Sequence, residues 1–253
     1  MANGNSWQKI FDDYKILEHS FSKEPFYISA IQIKKSVQDF KKTGEKEVRI
    51  LCKMDSRKNL PAVMRDNGLF LMPVKNGNYA IVQGEGFMDI PDIEGEPEDY
   101  HTKLDFDLDT SMIGNSEMQH LDFAYASSLI RTFMDDPSLV LTIRGRKYTP
   151  AFSYKIGNVT LETASVQTEV DAGYEGREQV VLVEAKNSST KNTIIRQLYY
   201  PYRQWSEHTS KKVVTLFFEK RGNEYLIWQY EFTDENDYNS IKLVKAKKYR
   251  IVK

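Results

Sequence analysis

Between Val166 and Asn187 the chain reads VQTEVDAGYEGREQVVLVEAKN, and three of these residues have types and spacing suited to phosphate chemistry. Side chains alternate across a β-strand, so Glu184 and Lys186 project from the same face, about 6–7 Å apart along it. Val181, Val183 and Ala185 then pack on the other face. On the preceding strand Gln167, Glu169 and Asp171 share a face by the same rule, and Gly173 and Gly176 let the chain turn back. If the two strands pair, Asp171 and Glu184 converge with Lys186 beside them. Two converging carboxylates suit a hard divalent cation such as Mg²⁺, which prefers oxygen ligands. Such a cation polarises a phosphate oxygen and lowers the pKa of its water. A neighbouring ammonium orients the attacking water or stabilises the developing charge.

Glu-x-Lys by itself is a weak signal, and its context gives it weight. An apolar strand leads into Glu184, an acid ends the strand before it, and a helix follows. The bland alternative is a solvated strand edge carrying a salt bridge. Asp13-Tyr-Lys15 falls in a predicted helix with no acidic strand before it and is set aside. The four histidines, His19, His101, His120 and His208, show no metal-ligand spacing among themselves or with Cys52. Gly84-Glu-Gly86 lacks the strand-to-helix setting of a dinucleotide fingerprint.

The second half supplies the elements that would hold these groups. A helix is predicted over 115–133, opened by Asn115-Ser-Glu117. Strands are predicted at 139–143, 151–156, 159–161, 166–172 and 179–185. A helix over 193–207, which Pro201 should break or kink, precedes strands at 212–219 and 225–232, and 242–253 is a basic tail with a short strand pattern. The order reads as α/β or α+β, with a mixed sheet covered on both faces. The first half differs. Ser29 and Gln32 form a capping-box signature ahead of a helix whose inner face is Ala30, Ile33, Val37 and Phe40. A second helix is predicted at 60–67, with Pro61 at its start and Gly68 after its end. Strands at 69–74 and 79–82 flank an Asn76-Gly77 turn, a strong hairpin signal. Helix, helix, hairpin suits an α+β, winged-helix-like lobe. Residues 89–109 are acidic and lose apolar periodicity, so they read as a connection, with a boundary near Leu104 between domains 1–104 and 105–253.

Composition bounds the function classes. The 253 residues carry a net charge of −1 and 40% hydrophobic side chains, as expected of an ordinary soluble globular protein. Near-neutrality neither advertises nor excludes a nucleic-acid partner, because local basic clusters count for more than the sum. A single cysteine, Cys52, rules out an intrachain disulfide and reads as a packed core residue. No signal-peptide pattern and no membrane-length apolar run is present, which points to a cytoplasmic protein without a membrane partner.

Asp171…Glu184-Ala-Lys186 resembles the PD-(D/E)xK signature of restriction endonucleases and related nucleases, with Val170 where proline is usual. The likeness covers residues 115–232 and implies a restriction-endonuclease-like mixed sheet flanked by helices. It implies a Mg²⁺-dependent type II endonuclease, with Mn²⁺ able to substitute, acting on double-stranded DNA as a homodimer. Asp171 and Glu184 would be metal ligands and Lys186 the catalytic lysine. Glu117 matches a further acid on the helix before the sheet, and Glu169 is an alternative extra ligand. DNA contacts are expected from Arg196, Gln197 and Arg203 after the motif and from Arg144, Arg146 and Lys147, placed in a turn. In the N-terminal lobe they are expected from Lys34, Lys35 and Asn76. A repair nuclease of the same fold, or a DNA-binding protein without catalysis, are the competing expectations.

Overall fold

The computed structural model describes residues 4–187 and 189–252, the side chain of Met112 excepted. The N-terminal part runs α1 (Gly4–Asp13), β1 (Phe26–Ser29), α2 (Ala30–Ser36), α3 (Thr43–Lys46), α4 (Val48–Leu51), α5 (Ala62–Arg65), β2 (Leu69–Lys75) and β3 (Asn78–Gln83). Ser29 and Gln32 close the expected capping box at the start of α2. The Asn76-Gly77 hairpin forms, Gly77 takes a left-handed φ of 74°, and β1 adds to it in the order β1-β3-β2. The 60–67 helix is shorter than expected, a single turn with Pro61 as its N-cap.

The middle and C-terminal parts run β4 (Phe87–Asp89), β5 (Glu98–His101), α6 (Glu117–Ala126), α7 (Leu129–Met134), β6 (Val140–Tyr148), β7 (Phe152–Ile156), β8 (Val159–Thr163), β9 (Gln167–Glu175), β10 (Gln179–Lys186), β11 (Asn192–Ile194), α8 (Arg196–Ser206), β12 (Lys212–Arg221), β13 (Glu224–Phe232) and β14 (Ile241–Val252). Seven strands form one mixed sheet, β5-β14-β13-β12-β10-β9-β6. Only the β10–β12 and β14–β5 pairs in it are parallel. Helices α6 and α7 cover one face, where Val181, Val183 and Ala185 pack with Leu121, Leu129 and Phe133. Helix α8 covers the other, over Val180 and Leu182. The chain is therefore mixed α+β with a large sheet flanked by helices.

Several local expectations are corrected. The 115–133 helix is two helices, because Ser128 takes a left-handed φ of 64° between them. Residues 89–109 are not a plain connection. Tyr100 buries itself from β5, and the acidic strand lies against basic β14, with Glu98 at 3.1 Å from Lys247 and Asp99 at 3.4 Å from Arg250. The basic tail is correspondingly a twelve-residue strand, longer than its sequence pattern suggests. Arg144, Arg146 and Lys147 lie within β6, not in a turn. Gly173 lies inside β9, and the chain reverses instead at Gly176, whose N–H donates to Gln179 O at 2.8 Å. Pro201 sits inside α8 without ending it. One apolar core runs from Trp7 and Phe11 through β2 and β3 to Tyr154, Tyr200 and Trp228, so the two halves of the chain share it.

Candidate functional site

Strand β10 carries the end of the motif between antiparallel β9 and parallel β12. Alternation places Glu184 and Lys186 on the α8 face, as the sequence required. Only 11% of the Glu184 side chain and 24% of Lys186 are exposed, and the ammonium bonds the Glu184 carboxylate. Asp171 reaches this pair through an irregularity. Ile143 faces Gly173 while Gly145 faces Val170, so β9 takes three steps where β6 takes two. Pairing of β9 with β10 starts only at Ala172, and Asp171 Oδ2 accepts the Ala185 N–H at 2.8 Å in place of a ladder bond. The bulge also breaks the two-residue period. Val170 packs under α8 with Leu182, whereas Ala172 packs on the α6–α7 face. Alternation therefore does not put Glu169 on the face of Asp171, although Glu169 still lines the same cleft.

The electrostatics follow from burial. Loss of water pushes the Glu184 carboxyl up to about 7 against the pull of Lys186, and Asp171 and Asp55 push the same way. Burial also raises Asp171, offset by the Ala185 N–H and Lys186 and reinforced by Glu117 and Glu169. Burial alone would lower Lys186, but Glu184, Asp171 and Glu117 outweigh it and hold the ammonium protonated. Two desolvated carboxyls that resist ionisation, facing one lysine, lack positive charge. A hard divalent cation would reverse both shifts, so the residues fit Mg²⁺. Among the described residues no group of three or more His, Cys, Asp or Glu is gathered to hold a metal. Asp171 and Glu184 would then be the protein ligands, with water and substrate oxygens completing the shell, the usual habit of Mg²⁺.

The cleft above these groups has a volume of about 600 Å³, and Glu117, Glu169 and Gln197 line it as well. Gln197 accepts the Thr193 hydroxyl at 2.5 Å through Oε1, which leaves its amide N–H groups for the cleft. Other nominated residues are elsewhere. Arg203 is a correction: it is 5% exposed, its Nη1 serves the carbonyls of Ser153 at 3.1 Å and Glu235 at 2.8 Å, and its guanidinium covers the Phe152 ring. It cannot reach a nucleic acid. Arg196 turns toward Asp55 at 3.9 Å, Arg144 pairs with Asp122, and Arg146 pairs with Glu169 at 3.2 Å. Lys34, Lys35, Asn76 and Lys147 are exposed but do not line the cleft. Cys52 packs against the core as expected, with burial pushing its thiol up to about 12.

Residues missed by sequence reasoning form the opposite side of the cleft. Lys53, Asp55, Ser56, Lys58 and Asn59 come from the N-terminal part. In sequence they are a polar loop between short apolar helices, and no local pattern signals contact with strands more than a hundred residues away.

Fold and cleft together define a mixed α+β protein with an acid–lysine centre at the end of its main sheet. The chain belongs to the family described as "Domain of unknown function (DUF6997)", whose model matches residues 82–250. A second model, "Domain of unknown function (DUF6996)", matches residues 4–81. No curated protein and no solved structure matches the chain.

Proposed function

We propose that this protein is a Mg²⁺-dependent deoxyribonuclease of the PD-(D/E)xK type, cutting double-stranded DNA at a specific sequence. The observation that carries the reading is the convergence of Asp171, Glu184 and Lys186 in one cleft, with both carboxyls raised by burial. A bound Mg²⁺ would supply the Lewis acid for the scissile phosphate. The chain's own contribution is to fix the two carboxylates, Asp171 by the Ala185 N–H and Glu184 by its strand. Lys186 stays protonated, so at neutral pH it acts as a donor to the attacking water or the charged phosphate, not as a base.

The N-terminal order of helix, strand, helices and hairpin, paired β1-β3-β2, supports a winged-helix-like recognition unit. Lys34 and Lys35 on α2 and Asn76 at the hairpin tip are its proposed DNA contacts. A homodimer would match a two-fold symmetric target and break both strands in one encounter. Among the described residues no helix is long and apolar enough to cross a membrane, and a cytoplasmic site of action is part of the proposal. Incubation of supercoiled plasmid with Mg²⁺ or with EDTA, followed by run-off sequencing of the ends, tests the reading. Linear DNA with uniform ends, formed only with Mg²⁺, is the expected result. Accumulating nicked circles would replace the dimer by sequential single-strand cuts, and intact plasmid on diverse DNA would remove the proposal.

A further inference from the structure

The two sides of the cleft differ in how they are held and in how their charges are sorted. Opposite the acid–lysine centre lies the segment 53–59, held by backbone and side-chain hydrogen bonds. Asp55 O accepts the Ile194 N–H at 3.0 Å, and the Arg57 N–H donates to Asn192 Oδ1 at 2.7 Å. The Arg57 guanidinium also engages Asp89 and, at 3.4 Å, Glu85. These bonds tie the segment to β4 and to β11, which leads directly into α8. Its position relative to Glu184 is therefore set by one backbone bond and by side-chain bonds from Asn192 and Arg57.

Asp171, Glu184 and Asp55 lie within the cleft around Lys186, and Lys53 and Lys58 lie at its rim. The Asp55 side chain is 24% exposed, and its charge reaches Glu184. Lys53, 74% exposed, lies 3.7 Å from Asp55. Lys58 is exposed and has no acidic partner among the described residues. Inner acids concentrate a cation, whereas rim lysines on flexible stems concentrate an anion passing over it. A single small anion would need only the centre. A strand of phosphates with one member at Asp171 and Glu184 must also lay its neighbours along the rim.

We infer that residues 53–59 form a second jaw of the cleft, in which Lys53 and Lys58 bind substrate phosphates flanking the one at Asp171 and Glu184. The inference rests on the nuclease reading and adds to it a composite site, with one wall from each of the two matched families. The test uses the full-length protein and a labelled DNA duplex carrying the cut site, with Ca²⁺ replacing Mg²⁺ so that binding is read without cleavage. Wild type, Lys53→Ala/Lys58→Ala and a control, Lys212→Ala/Lys242→Ala at the opposite end of the sheet, are titrated from low to moderate salt. The jaw variant should melt with wild type and lower the slope of log K against log salt by about two, one unit per lost phosphate contact. The control should leave the slope unchanged. A jaw variant with the wild-type slope, alongside normal wild-type cleavage in Mg²⁺, overturns the jaw and leaves the nuclease standing. A wild type that neither binds nor cleaves DNA overturns both.

Discussion

Glu184 lies almost out of water, and the ammonium beside it is shared with Asp171. Its carboxyl titrates near 4.5 when solvated and at about 7 in the folded chain. A folded pKa above the unfolded one means that this group's contribution to stability is fully present below 4.5 and is lost as pH rises through about 7. The shift corresponds to roughly 3 kcal/mol at 1.36 kcal/mol per unit. Asp171 is raised too and acts with the same sign, while the raised Lys186 acts only in the alkaline range. In EDTA the melting temperature should therefore fall between pH 5 and 8. Glu184→Gln should remove most of that slope, and saturating Mg²⁺ should flatten it. A wild-type melting temperature constant over this range would contradict the assigned burial. The positions of Glu184 and Lys186 were legible because period-two alternation is a local property. Asp171 was legible as an acid before a reversal, but its bulge was not, since that depends on how β6 crosses β9.

Helix α8 turns one expected DNA contact, Arg203, inward. The tyrosines of its Arg-Gln-x-Tyr-Tyr-x-Tyr-Arg pattern pack as well, with Tyr199 and Tyr200 fully buried. The Tyr200 hydroxyl lies 2.6 Å from that of Tyr154 and donates to Pro73 O at 2.8 Å, joining α8, β7 and β2. Arg203 completes this polar seam from inside. Removing it takes a buried side chain off the Phe152 ring and deletes its bonds to the Tyr199 hydroxyl, Ser153 O and Glu235 O, so Arg203→Ala should destabilise the protein by about 3 kcal/mol, measured by urea unfolding. DNA affinity of the folded fraction should not change. Unaltered stability with weakened binding would return Arg203 to the surface. In sequence Gly173 suggests a turn, because no local pattern names its partner strand. A Cβ there would meet Ile143 Cβ at 2.6 Å, so the residue is glycine because β6 passes close to β9.

At the scale of the whole chain, the sheet order could not be read from sequence because its outer pairing joins residues far apart. Strand β5 offers one buried side chain, Tyr100, in an acidic stretch, and its partner β14 begins about 140 residues later. Strand β5 has no apolar pattern, and that of β14 is short and interrupted by lysines. Charge complementarity between them, visible only once paired, replaces it. The shared core likewise binds the parts matched by the two family models into one body around the cleft. The central claim is that this cleft cuts phosphodiesters through Asp171, Glu184 and Lys186. It is tested most directly by plasmid cleavage in Mg²⁺ by wild type, Glu184→Ala and Lys186→Ala, at protein concentrations where all three bind DNA equally. Wild type should cleave, and each variant should be slower by about 10³-fold or more while remaining folded. Cleavage by both variants at the wild-type rate, or none by wild type, would contradict it.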